Sequence, residues 1–471
     1  MRQTPLRHGT SRRRSFLGFA AGTAAALLLA ACSSTPDASP SGTPDESQSG
    51  APTSDETPAA TPQTVSFLTH WGGDQLAALE ATATAFHEAN PDITVKIESV
   101  PFGNLLSTLR TRGASPDGPT MAGIYDLWLP ELVRDGITAA APSDVVTDIK
   151  GNYSDGAFQA VTKEGSTYGF PTEMAVYGLN YNKKLFQQAG IDAPPTTWDE
   201  VLADARAITA LGNGVQGVGV ITVWNNGTIH PFLSWAASNG ASLLAEGSTT
   251  EPALTSPAMV QTAEFYQQLV SEGLTKADMS ASNADTTGDY LQNFAAGKTG
   301  MLVMAATMQG NLIPIMGEDV FNETVSIAPI PVGPSGDRAT GISYSWINIV
   351  NAKASPEKQA AAWKFLQYMN GPTSGKDGSS ATGDILIGLG LIPSRLSDVK
   401  AHQTTIDGNP YRAEVAKILV DATPFPTVIG GEAASRALAE QVEAIIFGSK
   451  TGAKAMEDAQ AAVTEALAQA Q

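Results

Sequence analysis

The chain has 471 residues, with 28 Lys and Arg against 47 Asp and Glu and a formal net charge of −19; so acidic a surface argues against nucleic acid and anionic lipid headgroups as partners. A single Cys excludes any disulfide within the chain. The five His, at 8, 70, 87, 230 and 402, form no HExxH or Cys/His cluster and no GxSxG elbow is present, so neither a metal, a cofactor nor a catalytic residue is expected.

Residues 1–32 read as an export signal, because Arg2, Arg7, Arg12, Arg13 and Arg14 precede an apolar run over 16–31. That run falls short of the roughly twenty residues that span a bilayer. Arg13-Arg14-Ser15-Phe16-Leu17 resembles a twin-arginine motif, although Arg12 stands where Ser or Thr is usual. Leu29-Ala30-Ala31-Cys32 resembles a bacterial lipobox, which makes Cys32 the expected lipidated first residue of the mature chain and the lipid its membrane anchor. Loss of the five Arg takes the formal charge from −19 to −24. Residues 33–62 are almost wholly Ser, Thr, Pro, Gly, Ala, Asp and Glu, cannot bury a core, and read as a flexible tether about 30 Å from end to end.

From Gln63 onward, strand and helix patterns alternate, which predicts α/β layers with largely parallel sheets. Val65, Phe67 and Thr69 mark a first strand ending at His70-Trp71-Gly72-Gly73. Leu76, Leu79, Ala83 and Phe86 then recur at helical spacing until Asn90-Pro91, and Ile93, Val95 and Ile97 give a second strand. In such a βαβ unit, ligands bind beyond the carboxyl ends of the strands. Further on, Thr197 and Glu200 form a capping box ahead of Val201, Leu202, Ala205 and Ile208. Ser355-Pro356 opens a helix that ends at Asn370-Gly371, and the last forty residues are expected to be helical, with Leu438, Val442 and Ile445 on one face.

Tyr168-Gly169-Phe170-Pro171, Leu179-Asn180-Tyr181-Asn182-Lys183-Lys184-Leu185-Phe186, Ala189-Gly190, Pro194-Pro195 and Thr197-Trp198-Asp199-Glu200 stand in one block. Phe294-Ala295-Ala296-Gly297-Lys298-Thr299-Gly300-Met301, Ala328-Pro329-Ile330-Pro331, Trp363-Lys364-Phe365-Leu366 and Gly390-Leu391-Ile392-Pro393 follow it. Together these segments resemble the family 1 extracellular solute-binding proteins, the group that contains maltose- and oligosaccharide-binding proteins. The resemblance runs over residues 63–471. It implies a two-lobe periplasmic-binding-protein fold of type II, with lobe 1 over 63–174, lobe 2 over 175–341, a return to lobe 1 over 342–398 and to lobe 2 over 399–471. Crossings are expected near 172–178, 340–346 and 395–401. It further implies a monomer that captures a sugar or oligosaccharide between the lobes and hands it to the permease subunits of an ABC transporter at the outer face of the cell membrane. Where many relatives carry Pro-Asp-Val before the first-lobe binding loop, this chain has Pro119-Thr120-Met121, and the nearest acid is Asp126.

Sugar sites pair aromatic faces with carboxylates and amides that hold hydroxyls. Trp71, beside two glycines after the first strand, fits such a platform, as does Trp224 ahead of Asn225-Asn226-Gly227. Tyr125, Asp126 and Trp128 lie where the family's first-lobe loop offers a carboxylate and an aromatic; Trp128 fits the core of the following helix equally well. Glu173 and Trp346 fall at the first and second crossings, and His230 precedes Pro231 near an aromatic contact of relatives. Trp235, among Phe232, Leu233 and Ala236, reads as core. Three other readings stay open: a polyamine, sugar-phosphate or osmolyte receptor, for which Arg395 is the one candidate phosphate ligand; a sensor subunit; and a secreted glycan-active enzyme using paired carboxylates.

Overall fold

The computed structural model describes residues 61–283 and 286–471. The leader, Cys32 and the tether expected over 33–62 lie outside the described residues, apart from the last two tether positions.

Three strands, β1 (Gln63–Thr69), β2 (Ile93–Ser99) and β3 (Met121–Tyr125), pair in parallel around β1. A fourth, β4 (Gly169–Asn182), is fourteen residues long. It is followed by β5 (Gln216–Gly219), β6 (Thr299–Ala305), β7 (Val325–Ala328), β8 (Ile342–Val350) and the short β9 (Thr423–Pro424). The sheet order is β2-β1-β3-β8-β4-β6-β5, with β7 added on β4 and β9 on β8. The sheet is mixed, not largely parallel as the βαβ rhythm suggests, because β4 and β8 run antiparallel to their main partners. β4 changes partners along its length. Residues 169–176 of β4 pair with β8, whereas 177–182 pair with β6 and β7, so one strand passes from one half of the sheet to the other.

The register slips once, between Trp346 and Ile347, where Trp346 faces Glu173 and Ile347 faces Pro171. Thr172 is therefore the extra residue of a bulge, and its hydroxyl donates to the Trp346 carbonyl at 3.2 Å. Such bulges bend a strand and re-aim the neighbouring side chains.

Helices pack against the sheet. Leu79, Ala83 and Phe86 on α1 (Gly73–Ala89) bury at the predicted spacing. α2 (Phe102–Gly113) follows β2. α3 (Trp198–Thr209) begins at Thr197 with the complete capping box, followed by α4 (Asn225–Ser238), α5 (Pro257–Ser271) and α6 (Pro356–Met369), the last capped by Ser355. The carboxyl-terminal stretch is two helices, α7 (Gly431–Ile446) and α8 (Gly452–Ala470), packed on each other and on α5; α7 also packs on α4. Trp235 is 1% exposed and stands edge-on to Trp198 at 5.8 Å.

Candidate functional site

The carboxyl ends of β1, β2 and β3 open onto one cavity of about 320 Å³. This is where an open α/β sheet leaves strand ends unpaired and able to carry loops. Trp71 is fixed there by its backbone, since its amide donates to Thr69 Oγ1 at 3.1 Å and its carbonyl accepts from Ser99 Oγ at 2.7 Å. Phe102 begins α2, Tyr125 ends β3, and Tyr344 and Trp346 lie two apart on β8 and so share a face. Glu173 and Tyr177 enter from β4, Trp224, Asn226 and His230 from the start of α4, and Thr307 and Met308 from the turn after β6.

The rings form a continuous wall. His70 stacks on Trp346 with centroids 4.3 Å apart, Phe102 stands 6.1 Å from Trp346, and Phe102 meets Trp224 edge-on at 6.5 Å. Tyr344 lies 5.3 Å from Tyr125 and 5.9 Å from Tyr177. Such a wall offers several flat apolar faces to a ligand that has apolar patches of its own.

Its polar groups are mostly uncharged. Burial pushes His70 down to about 4 and His230 down to about 3, so both imidazoles are neutral at pH 7. His230 Nε2 shares a 2.8 Å hydrogen bond with Tyr125 Oη. Glu173 is 5% exposed, and its carboxyl has no hydrogen-bond or ion-pair partner among the described residues and is pushed up to about 8 by burial. No Lys or Arg lines the cavity among the described residues. His70 Nδ1, Trp224 Nε1, Asn226 Oδ1 and His230 Nδ1, all on lining residues, are buried without a protein partner among the described residues, and a buried polar atom of this kind calls for an explanation.

Of the eight residues singled out from the sequence, Trp71, Tyr125, Glu173, Trp224, His230 and Trp346 line this cavity. Asp126 and Trp128 do not. The chain turns into a 3-10 helix over Asp126–Trp128 immediately after Tyr125, which rotates both side chains behind the wall. Asp126 Oδ2 accepts from the Ser345 amide at 2.8 Å, and its carboxyl is pushed up to about 7, chiefly by burial. Trp128 backs Phe102 at 6.0 Å and donates from Nε1 to Glu432 Oε2 at 3.3 Å. Arg395 lies elsewhere, in a bidentate pair with Asp148 at 2.9 Å. Sequence reasoning passed over His70, Phe102, Asn226, Tyr177 and Tyr344. The last two had a usable signal, because period two along a strand places Tyr344 with Trp346 and Tyr177 with Glu173. The wall residues over 305–311 and 389–391 carry no such local signal.

An α/β fold with an aromatic cleft beyond its strand ends fits the two-lobe class of binding proteins, and the comparisons agree. Residues 72–376 match the profile of the family described as bacterial extracellular solute-binding protein, and the chain belongs to that family. It is 30% identical over 296 residues to a Brucella abortus protein named only as a binding protein, a match that covers 62% of this chain and 67% of the relative. It is 25% identical to the melibiose/raffinose/stachyose-binding protein MelE of Bacillus subtilis, over 68% of this chain and 71% of that one. Among solved structures, the GacH receptor of Streptomyces glaucescens, determined unliganded and with acarbose, superposes with a TM-score of 0.74 at 20% identity, covering 88% of this chain and all of that one. At that identity the likeness carries the fold.

Proposed function

We propose that this protein captures a neutral sugar or oligosaccharide in the cleft, as a monomer, and delivers it to the permease of an ABC importer, tethered to the outer face of the membrane by a lipid on Cys32. The observation that carries the reading is the composition of the cleft: aromatic faces contributed by both halves of the sheet, with Glu173, Asn226 and Asn311 among them and no cationic side chain among the described lining residues. Aromatic faces suit the C–H patches of a pyranose, and the carboxyl and amides suit its hydroxyls. A sugar phosphate would call for convergent Arg or Lys, and Arg395 is committed to Asp148. Glycoside hydrolysis would call for two carboxyls facing one bond; Glu173 is the one acid among the described lining residues. That MelE is named for binding melibiose, raffinose and stachyose supports the reading further.

The test is a thermal-shift screen of the mature protein with melibiose, raffinose, diacetylchitobiose, spermidine and glucose 6-phosphate. A ligand at a hundred times its Kd adds about 2.7 kcal/mol of stability by mass action. The expected result is a rise with a neutral saccharide and none with the phosphate. A larger rise with spermidine or the phosphate, or turnover of a saccharide, would replace the reading. For the anchor, Cys32→Ala is expected to move the protein out of the membrane fraction or leave its signal uncleaved. Unchanged fractionation with an unchanged lipid-modified amino terminus would refute lipidation.

A further inference from the structure

The turn that delivers Trp224 to the cleft is held in an unusual way. Thr222 is pinned on one side, its amide donating to the Ser280 carbonyl at 3.0 Å and its hydroxyl meeting Ser280 Oγ at 2.8 Å. Trp224 already caps α4, its carbonyl accepting from the Thr228 amide at 2.8 Å. One residue, Val223, must make the whole reversal. It does so at φ +64°, in the left-handed region that a β-branched side chain rarely adopts, and with 66% of its surface exposed. Nothing in its own packing explains why the chain tolerates it there.

The stabilising contact comes from 220 residues away. Glu443, in the last turn of α7, accepts the Val223 amide on Oε1 at 2.7 Å. The Thr228 hydroxyl lies 3.4 Å from the same oxygen but sends its proton to the Ile221 carbonyl at 3.0 Å, so the Val223 amide is the principal donor to Glu443. A charged acceptor on a backbone amide is among the stronger single hydrogen bonds. The indole is seated from the other side by Gly227, where a Cβ would come within 2.1 Å of the ring. The ring therefore has a fixed seat and a strained lead-in, and the lead-in depends on one carboxylate. Glu443 lies beyond residues 72–376, the part of the chain that the family profile matches.

We infer that Glu443 is the positioning residue for Trp224: its carboxylate holds Val223 in the left-handed conformation and so fixes the indole at the cleft wall. The consequence for affinity rests on the reading of Trp224 as a ligand platform; the positioning itself does not.

The experiment uses the ligand-free mature protein with ¹⁵N-labelled tryptophan and backbone amides. The Trp224 indole resonance is assigned by its loss in Trp224→Phe. In Glu443→Ala, that resonance is expected to shift or broaden, and exchange at the Val223 amide to speed by about tenfold or more, with the Trp198 and Trp235 indole resonances in place. Glu443→Gln keeps an acceptor oxygen and should retain most of the wild-type signal. Val223→Gly added to Glu443→Ala should return the Trp224 resonance to its wild-type position, because glycine takes a positive φ without strain. If Glu443→Ala does not fold, Glu443→Asp, one methylene short of the amide, serves in its place. An unmoved Trp224 resonance, a shift shared by all the indoles, or a double variant that does not recover would each overturn the assignment. Because no sugar is present, a failed saccharide titration would count against the proposed function and leave this result untouched.

Discussion

Ser345 ties together the segments that carry two buried acids: its amide donates to the Asp126 carboxyl on Oδ2 at 2.8 Å and its hydroxyl to the backbone carbonyl of Glu173 at 3.0 Å. Burial raises Glu173 to about 8 and Asp126 to about 7, from ordinary values of 4.5 and 3.8. An acid raised on folding binds its proton more tightly in the native state. Its penalty is therefore absent below the unfolded value and grows as pH rises toward the folded one. Between pH 5 and pH 8, Glu173→Gln should show a smaller fall in urea midpoint than wild type, and Asp126→Asn should do so mainly below pH 7. Parallel midpoints for wild type and Glu173→Gln across that range would contradict a protonated Glu173. The tryptophans divide by the same logic of surroundings. Trp71→Ala and Trp224→Ala, which remove a stacking face and its burial, should each weaken saccharide binding by roughly 2–3 kcal/mol with little change in melting temperature. Trp235→Ala, in the core against Trp198, should cost about 3–5 kcal/mol of stability first. Calorimetric titration beside thermal melting on the three variants separates the two effects.

Among the elements, α3 shows how local chemistry fixes a boundary. Thr197 Oγ1 accepts the Glu200 amide at 3.3 Å, while Glu200 Oε2 accepts the Thr197 amide at 3.2 Å and the Thr196 amide at 2.6 Å. Thr197→Ala should cost about 1 kcal/mol in chemical denaturation, with the fold unchanged. A loss below a few tenths would mean that packing of Trp198 and Val201 holds the helix start unaided. β4 is the opposite case. Its fourteen residues pair with one partner over the first half and with others over the second, so its length and its change of neighbours follow from the sheets on either side. α7 spans both settings, since Glu432 near its start accepts from Trp128 and Glu443 near its end accepts from Val223.

At the scale of the whole molecule, β4 passes from one half of the sheet to the other with β8 beside its first half, and the Ser394 amide donates to the Thr172 carbonyl on that strand at 3.0 Å. Crossings of this kind permit two rigid bodies to rotate on a few backbone torsions. A ligand that touches both walls stabilises the state in which both reach it. Small-angle scattering should therefore give a smaller radius of gyration with the saccharide that raises the melting temperature. An unchanged radius at saturation would mean that the cleft is already closed, or that ligand contacts one wall alone.

Residue pattern alone was enough for the first strand, the helix from 73 to 89, the capping box at Thr197 and the helix opened by Ser355, because periods of two and 3.6 and the needs of free helix-end amides are properties of neighbouring residues. The block from Tyr168 to Glu200 was enough to point to the family. Pattern also placed Trp71, Trp224, Glu173 and Trp346 near strand ends and crossings, where the cavity lies. It did not separate Tyr125, which faces the cavity, from Asp126 and Trp128, which a 3-10 turn sends behind it. Nor did it supply Phe102, Met308 and Leu389, or the partnership of Val223 with Glu443. Those choices belong to the tertiary structure, because which side of a ring meets solvent and which carboxylate reaches an amide are set by segments that become neighbours only when the chain has folded.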